Sequence, residues 1–190
     1  MPRVLEGIMT TVCEDGTINI SPMGAVVELE ERQMMLRPYQ GSTTFANLRR
    51  TRHGIFHVTD DVLLIARAAV GQIDLQPDLL ALPGQMGCAL KDACRWYAVA
   101  VDTFCEQSTP AHLQCRVLES RRQRDFFGFN RAKHAVLEVA ILATRIERLP
   151  RADILTEMER LTAVVEKTGG QEESEAFTFL AKYIRDRCEV

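Results

Sequence analysis

The feature that most constrains the fold is a pair of long extended runs near the start of the chain, joined by a tight turn. Residues 5–12 and 17–29 are rich in β-branched side chains, and Glu14-Asp15-Gly16 lies between them. Asp-Gly is a strong hairpin signal because both residues accept the positive φ angles of the turn. The chain therefore opens with an antiparallel β-hairpin. A third strand, residues 33–37, is predicted to end at Pro38, which has no amide proton for a ladder.

The next segments alternate short helices with strands. Residues 44–50 predict a helix and residues 54–58 a buried strand, after which Thr59-Asp60-Asp61 predicts the N-cap of a helix over residues 62–70. Residues 71–92 contain several prolines and glycines without a clear period, so we expect an excursion over the surface and assign it no elements.

Two long strands, residues 95–106 and 112–122, complete the β-rich part. The first is apolar on both faces, which suits a barrel whose outside is covered by helices or by a second subunit. From Asn130 onward the apolar period is helical. One helix is predicted from residue 131 to Pro150 and two more over residues 154–167 and 173–187. The fold class is thus mainly β with α, as a barrel over residues 1–130 and a helical C-terminal subdomain over residues 131–190, packed on the barrel.

Composition excludes several classes of protein. A chain of 190 residues with 46% hydrophobic content can bury a substantial core, and a net charge of −3 gives no overall field for DNA or RNA. No run reaches the ~20 apolar residues that span a bilayer, and no signal peptide is evident. We expect a cytoplasmic protein that binds neither nucleic acid nor membrane.

Metal and nucleophile motifs are missing. The six cysteines contain no Cys-x-x-Cys pair and the four histidines show no metal-ligand spacing, so no metal site is predicted. The chain also lacks a Gly-x-Ser-x-Gly elbow, a P-loop and a Gly-x-Gly-x-x-Gly fingerprint. Hydrolase and nucleoside-triphosphatase chemistry therefore gains no support.

The first candidate site lies in residues 37–48. A helix N-terminus offers unpaired amides and a favourable dipole to a phosphate, and Ser42, Thr43 and Thr44 add hydroxyls to it. Arg37 can add a charged fork, and Gly41 lets a ligand approach the backbone. The alternative is a plain Ser or Thr helix cap, with Arg37 paired to a nearby carboxylate.

Two further segments could line a site. Residues 19–24 place Pro22 and Gly24 inside a strand, which predicts a bulge that re-aims backbone groups or an irregularity that only bends the strand. Residues 121–131 mix arginines with phenylalanines. They could bind a nucleic acid or a ring-shaped ligand, or form a solvated strand end whose phenylalanines pack on the core.

Taken in order, residues 15–24, 37–48 and 58–61 resemble the FMN-binding split-barrel superfamily. More narrowly, residues 129–138 are similar to the helix opening of an uncharacterised branch with a helical tail, distantly related to flavin reductases. The resemblance implies a six-stranded antiparallel split β-barrel that forms a homodimer, with FMN bound at the subunit interface.

By the same resemblance, the flavin phosphate is held by a Ser/Thr loop with a basic residue, and the ring lies against a hairpin strand. The implied phosphate group is Arg37, Ser42, Thr43 and Thr44, with Asn47 nearby; the implied ring wall is Ser21, Pro22, Met23 and Gly24, with Thr10 and Thr11 on the neighbouring strand. The amide of Met23 or Gly24 is expected to tune the flavin.

The resemblance leaves the reaction open, because one fold serves many functions. The first hypothesis is an FMN-dependent oxidoreductase that uses a small-molecule electron donor such as NAD(P)H. The second is a non-catalytic flavin-binding or scaffold dimer that docks a partner protein through its C-terminal helices. A third keeps the barrel and binds another phosphorylated cofactor, such as pyridoxal phosphate.

Overall fold

The computed structural model describes residues 3–28, 32–74 and 76–188. These fall into two compact units: Met1–Thr59 with Gln76–Phe126, and Asp60–Leu75 with Phe127–Val190. The predicted boundary at residue 130 stays a prediction. The second unit is larger than the predicted C-terminal subdomain, because it also contains residues 60–75, which include the predicted helix over residues 62–70.

The first unit contains a closed, six-stranded antiparallel barrel. Its strands are β1 (Arg3–Val12), β2 (Ile18–Glu28), β3 (Gln33–Leu36), β4 (His53–Val58), β7 (Arg95–Cys105) and β8 (His112–Arg122). Around the barrel they follow the order β1, β2, β3, β8, β7, β4. The six-stranded prediction is confirmed. Because side chains alternate along a strand, Met9, Phe56 and Val99 fill the interior and are fully buried. Helix α1 (Thr43–Thr51) adds Phe45 and Leu48 to the same core.

Residues 71–92, which were expected to form an excursion without elements, contain a second, two-stranded sheet. Strands β5 (Leu79–Leu82) and β6 (Gly87–Leu90) pair antiparallel around the 3₁₀ turn Pro83–Gln85. Ala89 and Leu82 pack against Trp96 and Ala98. The hairpin thus covers the outward apolar face of β7, which explains why that strand is apolar on both sides.

The bulge predicted in β2 is wrong. β1 and β2 pair without interruption from Arg3 opposite Val27 to Val12 opposite Ile18. Register shifts occur instead between β7 and β8, at Ala98/Val99 and Val101/Thr103. Residue 29, the end of the predicted second strand, lies outside the described residues.

The second unit contains four helices in its described part: α2 (Val62–Ala69), α3 (Arg131–Ala143), α4 (Arg151–Thr168) and α5 (Gln171–Cys188). Their apolar faces share one core that includes Ala66, Val136, Leu161 and Leu180. The prediction that the first C-terminal helix reaches Pro150 is wrong, because α3 ends at Ala143 and turns follow. None of the described helices combines the length and the apolarity needed to cross a membrane.

Candidate functional site

The gap between β2 and the chain after β3 brings the two predicted site segments together. Among the described residues, β3 pairs with β2 from Val26–Met35 to Glu28–Gln33. The chain meets β2 again where the Asn19 amide nitrogen donates to Thr44 Oγ1 at 3.0 Å. Between these two points, residues 20–25 of β2 and residues 37–43 have no strand pairing with one another. We call this opening the edge gap.

One side of the edge gap is the N-terminus of α1. Ser42 is its N-cap: Ser42 Oγ accepts the Phe45 amide at 3.2 Å and donates to the Tyr39 carbonyl at 2.7 Å. The plain-cap alternative therefore describes Ser42 well. Its hydroxyl group is occupied, and its main effect is to fix the first turn of the helix.

The residues around this cap offer donors without partners. The amides of Thr43 and Thr44 and the exposed Thr43 hydroxyl make no hydrogen bond to any described residue. Arg37 is exposed, and its guanidinium forms no ion pair or hydrogen bond within the described chain. The turn from Tyr39 to Ser42, closed by the Ser42 amide, folds the chain back between Arg37 and the helix start. Two helix-start amides, a hydroxyl and a guanidinium thus stand near one turn, as anion binding requires.

A polar network closes the end of the edge gap at Asn19. Thr11 Oγ1 accepts from Asn47 Nδ2 at 3.0 Å and from Asn19 Nδ2 at 3.2 Å, and Asn19 also donates to Thr44. Thr11, Thr44 and Asn47 are buried. The network joins β1, β2 and α1, so it fixes the helix N-terminus against the barrel. Asn47 Nδ2 also lies 3.4 Å from the sulfur of Cys13.

The other side of the edge gap is the unpaired edge of β2. The Cys13 amide donates to the Thr17 carbonyl at 2.8 Å, and this pair sets the alternation of the β1–β2 ladder. By that alternation Met23 bonds to β1, whereas Pro22 and Gly24 direct their backbone groups toward the gap. Pro22 therefore fits an unbroken strand, because its position needs no amide proton on the β1 side. Of the two predicted ring-tuning amides, the one in the gap is that of Gly24.

Side chains of β2 complete the description of this wall. Ser21 lies directly opposite Met9, so it faces the barrel interior, and its Oγ makes only a long 3.5 Å contact with the Pro22 carbonyl. Met23 packs against the interior core. Ser21, Pro22, Met23 and Gly24 are all half-buried.

The structure separates Thr10 from Thr11, although both were expected to line one crevice. Thr10 faces out of the barrel and donates to the Cys88 carbonyl of β6 at 2.7 Å. On the same outer side, His57 receives the Leu90 amide at Nε2 and lies 3.1 Å from the Ile8 carbonyl through Nδ1. Burial lowers the pKa of His57 to about 4, against a weaker opposing hydrogen bond to Ile8. His57 is therefore neutral at pH 7 and joins the β5–β6 hairpin to the barrel.

Further candidate groups were expected in residues 121–131. The expectation that the phenylalanines of residues 121–131 pack on the core is wrong, because Phe127 is 73% exposed and Phe129 is 95% exposed. Arg131 and His134 are exposed as well, and the His134 ring stacks on Phe129. Among the described residues, no cluster of three histidine, cysteine or acidic side chains is arranged to hold a metal ion.

Sequence reasoning missed the joining role of Asn19. It is the residue that connects the predicted phosphate segment to the predicted ring wall, through Thr44 and Thr11. A weak signal exists, since Asn19 alternates with Ser21, Met23 and Ala25 and so faces the barrel interior at the open end of the strand. A polar side chain at an inward position predicts a buried partner, but sequence alone does not name it.

Solved structures that share the barrel include flavin reductases. The styrene monooxygenase flavin reductase of Pseudomonas putida is 13% identical, with a TM-score of 0.54 over 64% of this chain and 82% of its own. A flavin reductase domain protein of Arthrobacter is 18% identical, with a TM-score of 0.56 over 65% of this chain and 80% of its own. These similarities establish the fold.

The chain belongs to the DUF447 family, a family of proteins of unknown function. The model of its N-terminal domain matches residues 5–124 and a second model matches residues 130–182. An FMN-bound protein of this family from Methanosarcina mazei is 22% identical, with a TM-score of 0.82 over 95% of this chain and 94% of its own. No protein with a curated function matches the sequence.

Proposed function

We propose that this protein binds FMN in the edge gap and is an oxidoreductase that uses the bound FMN as its cofactor. The observation that carries the proposal is the edge gap itself, where donors without partners at the start of α1 face an unpaired strand edge. The FMN-bound family member, which aligns with 95% of the chain, supports the choice of cofactor.

The residues of the gap fit a flavin phosphate. The amides of Thr43 and Thr44 and the Thr43 hydroxyl are free to donate, and the helix dipole favours an anion at this point. Arg37 would add a charge-assisted hydrogen bond. Ser42 would act indirectly, by holding the first turn of α1 in shape. Asn47 and Thr11 would hold the helix against the barrel from behind.

The ring would lie along the unpaired edge of β2, beside Pro22 and Gly24. FMN supplies hydride or electron transfer when bound, so the protein needs to orient the ring and exclude water rather than provide a nucleophile. This agrees with a site that contains hydroxyl, amide and guanidinium groups. We propose NAD(P)H as the electron donor.

We further propose that the active form is a homodimer with FMN at the subunit interface. Phe127 and Phe129 support an assembly, because large exposed aromatic side chains are characteristic of surfaces that a partner covers. Light scattering of the purified protein tests this part. A mass near 43 kDa, about twice the 21.4 kDa chain, is expected, and a monomer at micromolar concentration would contradict it.

Visible spectra of the purified protein, titrated first with FMN and then anaerobically with NADH or NADPH, test the function. We expect saturable binding at micromolar FMN, followed by bleaching of the flavin bands and their return in air. If bound FMN stays oxidised with both nucleotides, the proposal of an oxidoreductase is contradicted, and the proposal of a flavin-binding protein stands. Binding of pyridoxal phosphate without binding of FMN would overturn both.

A further inference from the structure

Glu6 places a carboxylate on the outer face of the barrel over Gly24, beside the end of the edge gap farthest from Asn19. It lies directly opposite Gly24 in the β1–β2 ladder. A Cβ atom at Gly24 would stand 2.9 Å from Glu6 Oε1 and 3.0 Å from Oε2. The carboxylate therefore occupies the space that a side chain at residue 24 would take. The missing side chain of Gly24 lets Glu6 lie over the backbone of β2.

The amide of Gly24 points into the edge gap at the same place. Glu6 and Gly24 form one of the pairs of the ladder that exchange no hydrogen bonds, so the Gly24 amide is turned toward the side where β3 no longer pairs. A hydrogen-bond acceptor and a donor are thus neighbours on one short stretch of strand. Such a pair is complementary to a ligand group in which an N–H stands beside a carbonyl.

We propose that Glu6 and the Gly24 amide bind the imide edge of the flavin ring. The Glu6 carboxylate accepts the flavin N3–H, and the Gly24 amide donates to an adjacent ring carbonyl oxygen. This inference rests on the proposed FMN site. Five residues of extended strand separate Asn19 from Gly24, a span of about 17 Å, so the helix-start donors of Thr43 and Thr44 and the imide edge lie at opposite ends of the gap. Arg37 directly follows β3 and so starts nearer Gly24, from where its long side chain would extend along the gap toward the phosphate.

The carboxylate also has an electrostatic consequence. A negative charge near the ring disfavours the added electrons of the reduced flavin, so Glu6 lowers the midpoint potential of the bound cofactor. Replacing Glu6 by glutamine keeps the acceptor oxygen and removes the charge. The midpoint potential of FMN bound to Glu6→Gln is expected to be higher than in the parent protein.

Comparing the affinities of two flavins tests the contact between Glu6 and N3–H separately from the rest of the binding site. FMN and N3-methyl-FMN differ only at the atom that Glu6 is proposed to bind. We expect the parent protein to bind FMN at least tenfold more tightly, about 1.4 kcal/mol. In Glu6→Ala the preference should fall below threefold. Glu28→Ala, a substitution of an exposed glutamate on the neighbouring strand β2, is the matched control and should keep the full preference.

Gly24→Ala tests the geometry without removing the carboxylate. The added methyl group would displace the flexible end of Glu6, so the N3 preference should fall while circular dichroism stays unchanged. A preference that is the same in the parent, Glu6→Ala and Gly24→Ala proteins would overturn the inference. If the parent protein binds neither flavin at micromolar concentration, the FMN site itself is wrong, and both proposals fail together.

Discussion

Two polar clusters, one in each unit, differ in how completely their hydrogen bonds are used. In the helical unit, the Lys133 ammonium contacts the Asp60 carbonyl at 2.7 Å, Glu173 at 2.9 Å and Glu172 at 3.5 Å. Glu173 also accepts the Gly170 amide. In the barrel unit, the buried network around Thr11 holds the start of α1, where the donors of Thr43 have no partner in the described chain. The exposed Arg37 guanidinium, which precedes the same turn, has no partner there either.

The difference distinguishes polar groups that stabilise the fold from polar groups that are available to bind a ligand. Burial raises the pKa of the Glu173 carboxyl, but the hydrogen bonds from Lys133 and Gly170 outweigh it, and the pKa lies below its usual range. The charges of that cluster are thus stabilised by one another, and it offers little to a ligand. The edge gap instead combines a fixed frame with unused donors, and that combination is what a ligand can complete.

The largest expected effect is on the cluster in the helical unit. Lys133→Met removes the cation beside the nearly buried Glu173 and should lower the free energy of unfolding by about 3 kcal/mol, because an unpaired buried charge remains. Urea denaturation without added flavin measures it, and Lys167→Met, on the exposed face of α4, is the control. FMN affinity should not change. A tenfold loss of FMN affinity in Lys133→Met would contradict the view that this cluster stabilises the fold without taking part in binding.

The second prediction concerns His57, a buried side chain of the barrel unit whose two ring nitrogens both have partners and which should make the free energy of unfolding depend on pH. Its folded pKa of about 4 lies below the ordinary 6.5, so the unfolded chain binds more protons between these values, and stability falls as the pH drops. From pH 7 to pH 5 this contribution is about 2 kcal/mol. Urea denaturation of the parent protein and of His57→Gln at both pH values measures it. Equal pH dependence in the two proteins would contradict a neutral buried imidazole.

The smallest effect belongs to the frame of the edge gap, where stability and binding should change together. Asn19→Ala removes hydrogen bonds to Thr11 and Thr44 and should cost about 1 kcal/mol of unfolding free energy. Because α1 then loses its tie to β2, FMN affinity should also fall several-fold. Titration and denaturation of the same sample check both. If Asn19→Ala lowers the free energy of unfolding but leaves FMN affinity unchanged, Asn19 stabilises the fold without supporting the binding site.

The elements of the barrel were predictable because their signals are local. Asp15-Gly16 fixes the first hairpin, and the cap residues Ser42, Asp61 and Asn130 all occupy the N-cap positions of their helices. The β5–β6 hairpin was missed because its strands are four residues each and it is held to the barrel by contacts distant in the sequence, from Thr10 to Cys88 and from Leu90 to His57. Tertiary packing, rather than a local pattern, defines it.

The candidate site divides in the same way. Residues 37–48 carry their own signal, a basic residue and hydroxyl groups at a helix start. The role of β2 depends on where β3 stops pairing, which no local pattern encodes, so the sequence suggested a bulge where the strand is regular. Glu6 was missed for that reason as well, since its position over Gly24 depends on the register between two strands.

The central claim is that the unused donors of the edge gap bind the phosphate of FMN, and FMN titration of matched arginine variants tests it most directly. Arg121 is the control for Arg37, since both are exposed and Arg121 lies eight residues along β8 from Leu113, which pairs with Leu36. We predict that Arg37→Ala combined with Thr43→Val weakens FMN binding at least tenfold, about 1.4 kcal/mol, while riboflavin binding and the Arg121→Ala protein are unaffected. Equal FMN affinity in all three proteins would contradict the account.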